Sequence, residues 1–125
     1  MARLKVVDAS AVCAVLFDEP EGRLVADQIG GEPTTAPSFL GYEVANTCWK
    51  KLRRDPEQRT KLLAAHARFS RLGVRQLEVD LAAIVLLAEK TGLTAYDAAY
   101  LWLARTLGVE LVSLDARLLR AASEA

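Results

Sequence analysis

Cysteine and histidine are almost missing from this chain of 125 residues, which holds two of the first, Cys13 and Cys48, and one of the second, His66. Two distant thiols and one imidazole do not supply the ligand set of a zinc site, nor a disulfide framework. Both cysteines fall in apolar stretches, where buried free thiols are the ordinary reading. A single histidine also excludes catalysis by a pair of imidazoles. His66 lies between Leu62 and Phe69 on a helical stripe and reads as core-edge packing. Net charge is absent too, since 16 basic residues balance 16 acidic ones. A strongly basic nucleic-acid binder would not have this balance, although a local patch remains open. No apolar run is long enough to span a bilayer. The opening "MARLKVVDAS" breaks early at Asp8 and has no apolar core of a secretory signal, so the expected location is cytoplasmic. No "GKS" or "GKT" phosphate loop, G-x-G-x-x-G or G-x-S-x-G elbow occurs.

What is present is a chain 52% apolar and 26% charged, in the range of globular domains and long enough for one core without staples. Residues 1–125 read as one domain, with no linker, repeat or low-complexity segment. "LKVVD" is a short β-branched run, and "ASAVCAVLFDE" follows as a helix that Asp8 or Ser10 can cap. "PEGRLVADQIGG" reads as a second helix closed by Gly30 and Gly31. After "TTAP" a helix opened by Pro37 runs to about Arg54. "DPEQRTKLLAAHARFSRLG" reads as one helix from an Asp55 cap to Gly73. "VRQLEV" has strand character, and helices follow from Asp80 to Gly92 and from Thr94 to Gly108. "VELVSLD" is the last strand and "ARLLRAASEA" a C-terminal helix. The order is β-α-α-β-α-α-β-α-α-β-α, with strands near 4–7, 33–36, 74–79 and 110–113. Strands alternating with helices imply a parallel sheet covered on both faces, with ligands beyond the carboxyl ends of its strands.

Four acids attract notice. Asp8 and Asp115 follow the first and last strands, and each is also well placed to cap the helix behind it. Asp97 stands in "TAYDAAYLWLA", a helix apolar on nearly every side, although Thr94-x-x-Asp97 also matches a capping box. Glu43 shares a helical stripe with Asn46, Thr47, Lys50 and Arg54, opposite Val44, Cys48 and Leu52, and a solvated helix face accounts for it equally. Singly, each acid has an ordinary structural explanation. Jointly they could all converge on one cleft, and carboxylates cannot share a water-poor site without a counter-charge. Glu43 and Asp97 have no basic residue within six positions. A bound divalent cation is the simplest compensation, and hard oxygen ligands select Mg²⁺ or Mn²⁺.

These four segments, "VVDAS", "YEVANTCWK", "TAYDAAYLWLA" and "LVSLDARLL", resemble the acidic motifs of PIN-domain proteins. In particular they resemble the VapC-type toxins of toxin–antitoxin pairs. The resemblance covers nearly the whole chain, in order. It puts the family's acids on Asp8, Glu43, Asp97 and Asp115, and small hydroxyl residues on Ser10 and Ser113. Arg117 stands where a further acid is often found near the last one. The fold implied is a three-layer α/β/α arrangement around a parallel sheet of four to five strands.

The activity implied is that of a metal-dependent endoribonuclease. Asp8 and Asp97 are then principal ligands of Mg²⁺ or Mn²⁺, with Asp115 direct or through water. Glu43 ligates or orients the attacking water, and Ser10 and Ser113 fix carboxylate rotamers. The resemblance also implies an RNA substrate, a homodimer and a small antitoxin protein as partner. "WKKLRRDPEQR" places Lys50, Lys51, Arg53, Arg54 and Arg59 near the Glu43 helix, either as a phosphate-binding patch or as a solvated helix end complementing the macrodipole. Rival readings are housekeeping RNA processing and a catalytically idle binding module of the same fold. A phosphoacceptor receiver domain would need an acid pair after the first strand and a lysine near the last, and "LVSLDARLL" has no lysine.

Overall fold

The computed structural model describes residues 3–124. Its elements are β1 (Lys5–Val7), α1 (Ala9–Leu16), α2 (Gly22–Ile29), β2 (Thr34–Pro37), α3 (Leu40–Arg54), α4 (Arg59–Ala67), β3 (Arg75–Leu77), α5 (Leu81–Thr91), α6 (Ala95–Leu107), β4 (Glu110–Val112) and α7 (Ala116–Ser123). The four strands pair in parallel in the order β3-β2-β1-β4. The chain steps outward from β1 through β2 to β3, then returns across the sheet to β4. Right-handed crossovers place the helices of the outward steps on one face and those of the return on the other. The packing agrees, with α1 against α2 and α3, and α6 against α5, α7, β1 and β2. This is the expected α/β/α arrangement.

Each strand is short, and its inward residues are β-branched or small. Val6, Val7, Ala36, Leu111 and Val112 are buried at the sheet, under Leu40 and Val44 of α3 and Tyr100 and Leu101 of α6. The reversal in direction falls between β1 and β4, so the switch point of the sheet lies at their carboxyl ends. That is where an open parallel sheet leaves a crevice. Helices that lead out of a strand begin at this end, as α1, α3 and α7 do. The second helix of the return step, α6, also begins here, because it leads down into the start of β4.

Two boundaries differ from the sequence expectation. Pro37 does not open α3. It ends β2 in register with Leu77, where a missing N–H costs no ladder bond within the strand. The expected helix over 55–73 is divided: a 3-10 turn at Pro56–Gln58, then α4, then a second 3-10 turn at Phe69–Leu72. Asp55 turns its carboxylate to Arg54 Nε at 3.1 Å instead of capping. Only Ala65 of α4 is buried, so tertiary packing gives this stretch little reason to stay one rod. Ala125, the last residue of the expected C-terminal helix, lies outside the described residues, as do Met1 and Ala2.

The close approach of α1 and α2 rests on Gly22. A Cβ placed there would lie 2.4 Å from the Ala14 carbonyl oxygen, a backbone atom that cannot swing away. Gly22→Ala should therefore destabilise the fold by about 1–3 kcal/mol, the usual cost of overpacking. Denaturant titration of parent and variant checks this, and a loss under about 0.5 kcal/mol, the scale of a neutral surface change, would mean that the two helices part freely.

Candidate active site

Asp8 is the first residue past β1 and is 5% exposed. Its Oδ1 accepts from the Ala11 N–H at 2.9 Å and from Ser10 Oγ at 2.7 Å, and its Oδ2 accepts from Ser113 Oγ at 2.6 Å. The carboxylate thus caps α1 and is tied to the end of β4. Ser113 Oγ also accepts from the Asp115 N–H at 2.9 Å, and Ser10 Oγ accepts from the Leu114 N–H at 2.9 Å. Two hydroxyls therefore bind β1, α1 and the β4–α7 turn into one polar knot. A carboxylate oxygen offers about two acceptor positions, so Oδ2 keeps one in reserve.

Asp115 caps α7, with Oδ1 accepting from the N–H groups of Arg117 and Leu118 at 2.9 and 3.2 Å. Both bonds fall on one oxygen and leave the other out of the cap. Asp97 lies in the first turn of α6 and is half-buried. Thr94 Oγ1 accepts from the Asp97 N–H at 3.1 Å, so Thr94 is the cap. No return bond from the Asp97 carboxylate to the Thr94 N–H closes the box. Glu43 lies in the first turn of α3, also half-buried, and its Oε1 accepts from the buried Tyr100 hydroxyl at 2.6 Å. It is therefore turned toward α6 and away from the solvated stripe that the helical wheel allowed. Sequence reasoning passed over Tyr100 as one more apolar letter. The signal available was a hydroxyl one turn past Asp97, on a helix otherwise unable to satisfy it.

The four acids act on one another. Burial raises the pKa of Asp8 above the ordinary carboxylate range, against the lowering effect of its Ser113, Ser10 and Ala11 bonds, and the Asp115 charge raises it further. Asp97 is raised by burial, then by the charges of Asp115 and Asp8. Glu43 is raised by burial, with Tyr100 opposing and Asp97 and Asp8 adding to the rise. Among the described residues none of the four is in an ion pair with a basic side chain, although Arg117 lowers Asp97 from a distance. Among the described residues no three acids, histidines or cysteines stand close enough to form a ready metal-holding group. The donor chemistry nonetheless fits a hard divalent cation, with oxygen ligands only and charges that repel without one. Three of the four acids keep a carboxylate oxygen clear of hydrogen bonds, and Asp8 keeps an acceptor position.

The basic residues divide. Lys51 is committed to the turn between α1 and α2, with Nζ 2.6 Å from Glu19 and over the Phe17 ring at 5.3 Å. Arg54 pairs with Asp55 at 3.1 Å, and Arg53 lies over Trp49 at 5.5 Å. Lys50 is exposed on α3. Cys13 and Cys48 are free and buried, and burial pushes the Cys13 thiol up to about 11. His66 is half-buried on α4. Among the described residues no helix is long and apolar enough to cross a membrane.

The class so defined is a parallel α/β domain with acids at the switch point of its sheet. A family model described as the PIN domain matches residues 5–124. The chain belongs to the PIN-domain family. Ribonuclease VapC3 of Pyrobaculum aerophilum is 34% identical over 118 residues, covering 90% of this chain and 90% of that protein. Ribonuclease VapC9 of Mycobacterium tuberculosis is 36% identical over 118 residues, covering 90% of this chain and 87% of its own. The crystal structure of PAE2754 from Pyrobaculum aerophilum superposes with a TM-score of 0.75 at 28% identity, covering all of this chain and 90% of that one.

The raised acids make metal-free stability depend on pH in an unusual direction. A carboxyl whose folded pKa exceeds its unfolded value binds its proton more tightly when folded. Its contribution is complete below the unfolded pKa, near 4, and is lost as pH rises through the folded value. In EDTA the melting temperature should therefore rise as pH falls from 7 toward 5. Asp97→Asn should flatten that slope and melt higher than the parent at pH 7. An Asp97→Asn protein that melts lower in EDTA with an unchanged slope would reduce Asp97 to a helix-end charge worth about 0.3–1 kcal/mol.

Proposed function

We propose that this protein is a Mg²⁺- or Mn²⁺-dependent endoribonuclease, acting in the cytoplasm as the toxin of a toxin–antitoxin pair, with residues 1–125 as one domain. The observation that carries the proposal is the gathering of Asp8, Glu43, Asp97 and Asp115 at the switch point, mutually repelling and without a paired cation. Relatives named as VapC ribonucleases over nine-tenths of the chain support the same reading.

Asp8 and Asp97 would hold the cation, with Asp115 joining directly or through water. When bound, the cation lowers the pKa of a water and offsets charge growing on the scissile phosphate. Glu43 would join the ligands of the cation or orient the attacking water. Ser10 and Ser113, both donating to Asp8, keep its carboxylate in one rotamer. Lys50 and Arg53 remain available for flanking phosphates, whereas Lys51 and Arg54 already have acidic partners. Attack by water on phosphorus breaks the bond to the ribose 3′-oxygen and leaves a 5′-phosphate and a 3′-hydroxyl.

Leu81, Val85 and Leu86 of α5, with Tyr42 and Trp49 of α3, are exposed apolar side chains. They support a homodimer formed through these helices, because water-facing leucine and valine on adjacent turns gain by covering one another. The antitoxin partner would order a short segment on binding and bring a basic or blocking group to the acids.

Cleavage of tRNA by the purified protein should require Mg²⁺ or Mn²⁺ and stop in EDTA. Asp8→Asn and Asp97→Asn should each slow it by about 100-fold or more, the scale of losing one electrostatic stabiliser of the transition state. Full-rate cleavage by both variants would remove the acids from the reaction. Light scattering at micromolar concentration should report a dimer that Leu86→Glu converts to monomer. A parent that is monomeric under those conditions would end the dimer proposal.

A further inference from the structure

Tyr100 has no part in the roles assigned so far. It lies one turn beyond Asp97 on α6, and the residue is 1% exposed. Its hydroxyl donates to Glu43 Oε1 at 2.6 Å, joining residues 57 apart in the chain. Packing alone would be served as well by phenylalanine, since a buried phenol needs a partner for its hydroxyl. The ring is set by Phe39, the residue that begins α3, which meets it edge-on at 5.4 Å and 79°. The turn that carries Glu43 thus also fixes the ring that binds Glu43. Tyr100 therefore ties α6, the helix that carries Asp97, to Glu43 on α3.

Glu43 needs such a restraint. The charges of Asp97 and Asp8 repel it, and it is only half-buried on a helix whose outer side is solvent. A free glutamate there would rotate into water, where hydration stabilises its charge and the repulsion falls. A charge-assisted bond of 2.6 Å opposes that escape. Because Oε1 is occupied, Oε2 is the oxygen offered to anything in the cleft.

We infer that Tyr100 is a positioning residue whose hydroxyl keeps the Glu43 carboxylate turned into the acidic cleft, where a divalent cation and the RNA phosphate would meet it. The inference rests on the nuclease reading above. It differs from that reading in what it demands: the hydroxyl must act through Glu43 and through nothing else.

The test is a double-variant cycle with Tyr100→Phe, Glu43→Ala and both together, read in two ways. One readout is steady-state RNA cleavage in Mn²⁺. The other is Mn²⁺ affinity of the RNA-free protein by calorimetry, with melting curves to establish that each variant is folded. Tyr100→Phe should lower kcat and weaken Mn²⁺ binding, each by about 10–100-fold, as loss of an outer-sphere partner does. KM for RNA should stay within about threefold, since uniform substrate binding is untouched. In the Glu43→Ala background the same change should move neither readout by more than about twofold, because the two residues act as one unit. A merely structural tyrosine would cost as much in both backgrounds, and that result overturns the inference. So does Tyr100→Phe equal to the parent in kcat and Mn²⁺ affinity. If the parent cleaves no RNA, the nuclease reading falls, and the Mn²⁺ cycle decides alone: coupling between positions 43 and 100 upholds the role of Tyr100, and its absence ends it.

Discussion

Like charges crowded at the end of a sheet must be held there by something, and in this fold helix N-termini do it. Asp8 caps α1 and Asp115 caps α7, while Glu43 and Asp97 lie in the first turns of α3 and α6. Each of four helix N-termini thus lies beside one of the acids. Each helix end stabilises an adjacent anion by about 0.3–1 kcal/mol. Carboxylates that share a small volume repel one another, and every acid here has more than one neighbour of its own sign. The helix ends therefore reduce the strain without removing it. The acids that burial and their neighbours keep above the usual range, Asp8, Glu43 and Asp97, are where the remainder shows.

Capping and ligand binding consequently do not compete. A cap occupies a lone pair or two of one oxygen and in return immobilises the whole carboxylate. Both cap bonds of Asp115 fall on Oδ1, and the cap bond of Asp8 also falls on Oδ1. The two serines complete the fixing of Asp8 with hydroxyls that belong to opposite ends of the chain. A residue that folds the protein and a residue that serves a cleft are the same residue here, for the plain reason that a helix beginning at a sheet's carboxyl end begins at the cleft.

Much of this was legible in the sequence, and the illegible parts have physical reasons. Apolar pairs such as Val6-Val7 and Leu111-Val112 announce buried parallel strands, because helices cover both faces of the sheet. Asp80, Thr94 and Asp115 were recognisable as helix starts, and Gly92 and Gly108 as their partners at the ends. The stretch 55–73 misled because caps and periodicity describe a helix in isolation, and its division reflects what the rest of the fold declines to bury. Glu43 was ambiguous since a helical wheel separates polar from apolar sides but cannot tell bulk water from a cleft. Tyr100 was invisible for a related reason: counted by hydropathy it belongs to the core, and only its partner across the sheet's end gives its hydroxyl a purpose. The family was legible from four motifs in order, and the comparisons agree over residues 5–124.

The pairing of β1 with β4 has a temporal side. Ser113 meets Asp8 across 105 residues, and β4, the last strand of the sheet in chain order, pairs with β1, the first. Such long-range closure is entropically demanding and comes late. While a ribosome is still adding the residues before β4, Asp8 has neither its Ser113 bond nor Asp115 beside it, and the polar knot cannot exist. The growing polypeptide therefore passes through synthesis with the acidic crevice unbuilt, and acquires it only when its final quarter docks.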